Sequence, residues 1–158
     1  MDFASINFEK NADIPATYFV EVDGEPVTIN GDDSLQMEID LYGRDGEYGR
    51  HAGAKLTKVL DKMGLSKEVS TKRMSVEQIL SRGEKYRRVM AQFYASMTAG
   101  WRNVIDTSAK PDKDGKYPEL EFTEANATSF YTDNFWMMQE LDDFLANRSN
   151  FKGEVGTA

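Results

Sequence analysis

The sequence contains no cysteine and a single histidine, His51, among 158 residues. Disulfides, thiolate nucleophiles and cysteine-based zinc sites are therefore excluded, and a serine triad would have to use His51 as its base. His51 falls on an expected basic helix with no nucleophile-elbow motif to cue a partner, so it reads as a partly exposed helix residue. No apolar stretch approaches the roughly 20 residues needed to cross a bilayer. The opening Met1-Asp2-Phe3-Ala4-Ser5 has neither the basic start nor the apolar run of a signal peptide, so a cytosolic protein is expected. Gly43, Gly46, Gly49 and Gly53 lack the Lys-Ser/Thr of a phosphate loop and the spacing of a dinucleotide fingerprint.

Acidic residues are plentiful, but their spacing does not make a metal site. Asp112-x-Asp114-Gly115 with Glu121 imitates the second half of a calcium loop, yet the first ligand position would fall on Lys110. The Asp-Gly pair is adequately explained as a turn. Asp32-Asp33 and Asp142-Asp143 are adjacent pairs, and adjacent residues on a helix do not face each other. No catalytic residue, cofactor or metal is expected, and the chain reads as a non-enzyme.

The formal charge of −8 is unevenly spread. Residues 1–43 carry ten acids against Lys10 alone, giving −9, whereas residues 44–88 carry twelve Lys/Arg against six acids, giving +6. Residues 101–158 return to −5, with eleven acids against six bases. Within the basic middle, Arg82, Lys85, Arg87 and Arg88 are the best candidates for a charged rim that meets a partner. The overall acidity opposes encounter with phosphate, so neither nucleic acid nor membrane is an expected partner. An acidic mimic of DNA fits the charge better and stands as an alternative.

The expected architecture is α+β: mostly helical, with a small N-terminal antiparallel β-sheet packed on helices. Residues 1–151 are expected to form one domain and residues 152–158 a frayed tail. Thr17 to Val22 and Val27 to Ile29 flank Asp23-Gly24, a hairpin turn signal. In the segment that follows, Leu35, Met37, Ile39 and Leu41 alternate with polar residues, so one strand face is buried. Asp45 is expected to cap a helix bearing Tyr48, Ala52, Leu56, Val59, Leu60 and Met63 at helical spacing, ended by Gly64. Residues 65–74 have no period and read as a connector.

Ser75-Val76-Glu77-Gln78 is a capping box, and it opens the strongest helix in the sequence. Val76, Ile79, Gly83, Tyr86, Met90, Phe93 and Met97 recur three and four residues apart, which predicts a central core helix extending toward Gly100. Gly83 on that stripe should let a neighbouring element approach closely. Residues 101–106 and 116–122 flank Asp112-Lys113-Asp114-Gly115, which reads as an exposed turn or a loose hairpin. Thr123 should cap the C-terminal helices, the last striped by Met137, Leu141, Phe144 and Leu145.

The order of these segments carries a resemblance. A β region ends in Leu41-Tyr42-Gly43-Arg44-Asp45, and a long helix ends near Gly100-Trp101. A Gly-containing turn follows, then Phe122-Thr123-Glu124-Ala125-Asn126-Ala127, then the closing Phe144-Leu145-Ala146-Asn147-Arg148-Ser149-Asn150-Phe151. This layout, over residues 16–151, resembles the tail assembly chaperones of long-tailed bacteriophages with non-contractile tails. The chain departs from the family pattern at Gly46, where a small polar residue more often follows the Asp, and in a long loop at 106–119.

The resemblance implies a non-enzymatic chaperone that binds the tape measure protein, keeps that long helical chain soluble and brings tail tube protein to it. It implies action in the host cytoplasm and absence from the mature virion. It carries no catalytic motif. Self-association is compatible with it. An acidic phage-encoded inhibitor and a structural tail component are the alternatives. Salt separates the first of these from a chaperone, because a mimic's binding collapses with ionic strength and groove binding does not.

Overall fold

Alternation, caps and turns account for most of the architecture in the computed structural model, which describes residues 7–152. The elements in chain order are α1 (Phe8–Ala12), β1 (Ala16–Phe19), β2 (Glu21–Val22), β3 (Glu25–Pro26), β4 (Thr28–Ile29), β5 (Asp32–Gln36) and β6 (Glu38–Leu41). They continue as α2 (Glu47–Lys62), α3 (Val76–Met97), β7 (Thr98–Arg102), α4 (Glu124–Asp133) and α5 (Trp136–Ala146), closed by a 3-10 turn at Arg148–Asn150. The fold is α+β, with helix outweighing strand at 46% against 18%.

The expected small antiparallel sheet is present, but its third strand does not come from the N-terminal segment. Its antiparallel order is β1-β6-β7, so the third strand arrives from beyond α3. Tyr18 pairs with Ile39, and Ile39 with Trp101. The long helix accordingly stops at Met97 instead of running to Gly100, because residues 98–102 satisfy the otherwise open edge of β6. Asp23 (φ 52) and Gly24 (φ 79) form the expected turn, but it joins only the two-residue strands β2 and β3. A second ribbon pairs β4 with β5.

Apolar alternation places Met37, Ile39 and Leu41 in the core, with Glu38 and Asp40 on the opposite face. One buried cluster joins these residues to Val20, Met97, Val104, Tyr131, Met137, Leu141 and Phe151. Thr98 is the buried polar residue at its centre, its hydroxyl 2.8 Å from both the Tyr94 carbonyl and Tyr131 Oη. Thr123 Oγ1 accepts the Asn126 N–H at 3.0 Å and starts α4 as expected.

The glycines of residues 43–49 have a packing role rather than a phosphate-binding one. A Cβ on Gly49 would sit 2.4 Å from the Gly43 carbonyl oxygen, and one on Gly43 would sit 2.7 Å from Ala12 Cβ. Gly46, not Asp45, is the N-cap of α2, and it makes no side-chain cap bond. Asp45 turns away because Arg148 binds it, with Nε to Oδ2 at 2.8 Å and Nη2 to Oδ1 at 3.1 Å. Of the expected frayed tail, Lys152 is exposed and residues 153–158 lie outside the described residues.

Candidate partner-binding site

α2 and α3 form a hairpin whose far half stands clear of the core. The last buried residue of α2 is Ala52 and the first of α3 is Val89; from Gly53 to Arg88 no residue is buried. The expectation that α3 is a core helix along its whole length is therefore corrected. Its C-terminal half is core, through Val89, Ala91, Tyr94, Ala95 and Met97. Its N-terminal half carries the same apolar stripe into solvent, where Val76 is 73% and Leu80 61% exposed. The end of α4 meets α3 at Arg87, where Arg87 Nε donates to the Thr132 carbonyl at 2.8 Å, and burial on α3 begins just beyond it at Val89.

The tip is locally well built despite its exposure. The Ser75 hydroxyl accepts the Gln78 N–H at 3.1 Å and Gln78 Oε1 accepts the Ser75 N–H at 2.8 Å, completing the expected capping box. Gly64, at φ 68, ends α2 as expected. Arg82 then ties the connector to α3 by donating to the carbonyls of Gly64 and Lys67 at 2.9 and 3.0 Å. Beside it an open depression of about 260 Å³ is lined by Leu65, Met74, Ile79, Gly83 and Tyr86. A Cβ on Gly83 would meet nothing within 4 Å. The close neighbour expected there is missing among the described residues, and the backbone of α3 lies open.

The four rim candidates divide into two kinds. Arg82 and Arg87 are structural, Arg82 through the connector carbonyls and Arg87 through Thr132 and the Phe135 ring, 4.9 Å from its guanidinium. Lys85 and Arg88 are exposed. Residues 55–88 hold ten Lys/Arg and four Asp/Glu, a local charge of +6 in a chain of −8. Among the described residues none of those ten cations forms an ion pair. The pairs that do form belong to Arg44, Arg50, Arg102 and Arg148. Sequence periodicity found the apolar stripe but not its exposure. The available signal was the density of Lys and Arg on both helices beyond Ala52.

Elsewhere, polar groups are mostly occupied with structure. Asp40 receives Arg102 Nη1 and Nη2 at 2.7 and 3.0 Å and Thr17 Oγ1 at 2.6 Å. Burial pushes its carboxyl up, but the Arg102 and Thr17 hydrogen bonds and the Arg102 charge outweigh it and hold it below the usual range. Burial also raises the Tyr94 phenol, which donates to Asp142 at 3.1 Å, and Asp142 pairs in turn with Arg44. Asp143 instead accepts from Gln139, so the Asp142-Asp143 pair is divided between two environments.

Asp112 Oδ1 accepts the backbone N–H groups of Asp114 and Lys116 at 2.8 and 3.0 Å, and Gly115 sits at φ 77. That turn accounts for the Asp-Gly motif without a cation. His51 is exposed on α2, in an open depression shared with Glu47, Tyr48 and Glu124. Among the described residues no group of three or more His, Cys, Asp or Glu is placed to hold a metal ion. No described helix is long and apolar enough to cross a membrane. Comparison of the chain with protein-family models, curated proteins and solved structures finds no match. What the fold and site define is thus an α+β protein bearing a basic, apolar helical hairpin with no partner among the described residues.

Proposed function

We propose that this protein is a non-enzymatic tail assembly chaperone of a long-tailed phage with a non-contractile tail. It binds the tape measure protein, keeps it soluble and promotes assembly of tail tube protein around it. It acts in the host cytoplasm and is left out of the mature virion. The observation that carries the reading is the span from Gly53 to Arg88, which buries no residue yet presents Met63, Val76, Ile79, Leu80 and Tyr86 to solvent. Exposed apolar side chains clustered on one hairpin are a common mark of a surface that a partner covers. A chaperone needs such a surface in its free state, because its client arrives as an unassembled helical chain. The order of segments from Leu41-Tyr42-Gly43 to Asn150-Phe151 directs the reading to tail assembly.

The non-enzymatic part rests on His51, whose side chain is exposed, and on Asp40 and Asp142, whose oxygens are held by Arg102, Thr17, Arg44 and Tyr94. Co-expression with a tape measure protein tests the function. The expected result is co-purification and a larger soluble fraction of the tape measure chain, retained at moderate salt. A tape measure protein left insoluble, with tight, salt-labile binding to a basic DNA-binding protein instead, would overturn it in favour of the acidic mimic.

A further inference from the structure

We infer that the hairpin tip is a helix-docking groove that selects an amphipathic helix with an acidic polar face. The inference rests on reading the hairpin as a partner-binding surface and specifies the chemistry of the occupant. Three observations converge on it.

The first is shape. Ile79, Gly83 and Tyr86 lie one turn apart on one face of α3, and Gly83 leaves the backbone bare between two apolar side chains. Leu65 and Met74, from the connector, form the opposite wall of the depression. A helix can lay an aliphatic side chain over such a gap at close interaxial distance, which a flat surface cannot offer. From Val76 to Tyr86 the open face is about 15 Å long, enough for roughly three turns of a partner.

The second is charge. The ten Lys/Arg of residues 55–88 form no ion pair among the described residues, while the rest of the chain is strongly acidic. Lys85 and Arg82 border a second open depression with Met63, Leu65 and Met74, where Glu77 is the one acid against two cations. A partner whose apolar stripe is flanked by Asp and Glu satisfies both the groove and its rim.

The third is the kind of apolar surface. Val76, Ile79, Leu80 and Met63 are aliphatic, with Tyr86 the one aromatic among them, so the face lacks the stacked rings that hold single-stranded bases. The concavity at Gly83 likewise fits a side chain better than a planar lipid surface.

The test uses the full-length protein and a fluorescein-labelled peptide of about 18 residues, with Leu at the a and d positions and Glu flanking them. The controls are the same peptide with Lys in place of Glu, an oligothymidylate, and vesicles containing phosphatidylserine. The expected result is binding of the Glu peptide at least about tenfold tighter than the Lys peptide, with part of the affinity surviving at high salt. Gly83→Trp should lower that affinity at least about tenfold with a melting temperature no lower than the parent's, because its Cβ enters open space and glycine is the poorer helix former. Lys85→Glu with Arg88→Glu should slow association.

Equal binding of the two peptides would overturn the acidic preference. Preference for the oligothymidylate or the vesicles, or self-association with no peptide binding, would overturn the helix-docking groove. Solubilisation of a tape measure protein that survives Gly83→Trp would also overturn the groove while leaving the proposed function standing. Peptide binding lost in Gly83→Trp, without tape measure solubilisation by the parent protein, would uphold the groove and remove the function.

Discussion

Arg87 donates through Nε to the Thr132 carbonyl at 2.8 Å while its guanidinium lies 4.9 Å from the centre of the Phe135 ring. This single side chain marks where α3 stops being core and becomes free hairpin, because it is the point at which the α4–α5 junction reaches α3. Arg88, its neighbour, points to solvent. Arg87→Ala should therefore destabilise the protein by about 1–3 kcal/mol, since a charged donor and a cation–π contact are lost together. Arg88→Ala should stay within about 0.5 kcal/mol. Denaturant titrations of the two variants check the contrast.

The same division applies to leucines. Leu141 is fully buried on α5, and Leu141→Ala should cost about 2–5 kcal/mol through lost packing and a residual cavity. Leu80 is 61% exposed, and Leu80→Ala should change stability by less than about 0.5 kcal/mol. Comparable large losses at both positions would show that the hairpin tip is packed in solution.

Glycine substitutions should have opposite signs along the chain. In Gly49→Ala the new methyl would meet the Gly43 carbonyl oxygen at 2.4 Å, so the variant should lose stability although alanine favours helix. Gly83→Ala meets nothing within 4 Å and should gain about 0.5–1 kcal/mol from helix propensity alone. Thermal melts of both variants check the sign.

Much of this was legible from local chemistry. The capping box at Ser75 and Gln78, the Thr123 cap and the Asp23-Gly24 turn all depend on residues within a few positions of each other, and each forms as its sequence implies. The misreadings are long-range. Asp45 looked like a helix cap because its competitor, Arg148, arrives from the far end of the chain. Residues 98–100 looked helical because the β6 edge that claims them lies far earlier in sequence. At the candidate site, periodicity shows that Val76, Ile79 and Tyr86 share a face, but burial depends on whether another element reaches it. No local pattern encodes that residues 76–88 stay unburied.

Acid sensitivity should centre on the sheet surface. The Asp40 carboxyl is held below its usual range by Arg102 and Thr17 despite its burial. A depressed folded value means that the ionised form stabilises the fold above the unfolded value near 4, and that this contribution disappears as pH falls through the lower folded value. Asp40→Asn should therefore lose about 1 kcal/mol at neutral pH and show a shallower decline in acid. Chemical denaturation between about pH 2 and 7 measures both effects.

Hydrogen exchange on the protein with and without a co-purified tape measure protein tests the central claim most directly. The account predicts that amides of α2 beyond Ala52 and of α3 before Val89 exchange quickly in the free protein, since no residue there is buried. In the complex they should become strongly protected, while β1, β6 and β7 change little. Protection confined to the sheet, or a hairpin tip that exchanges equally fast with and without the partner, would contradict the account.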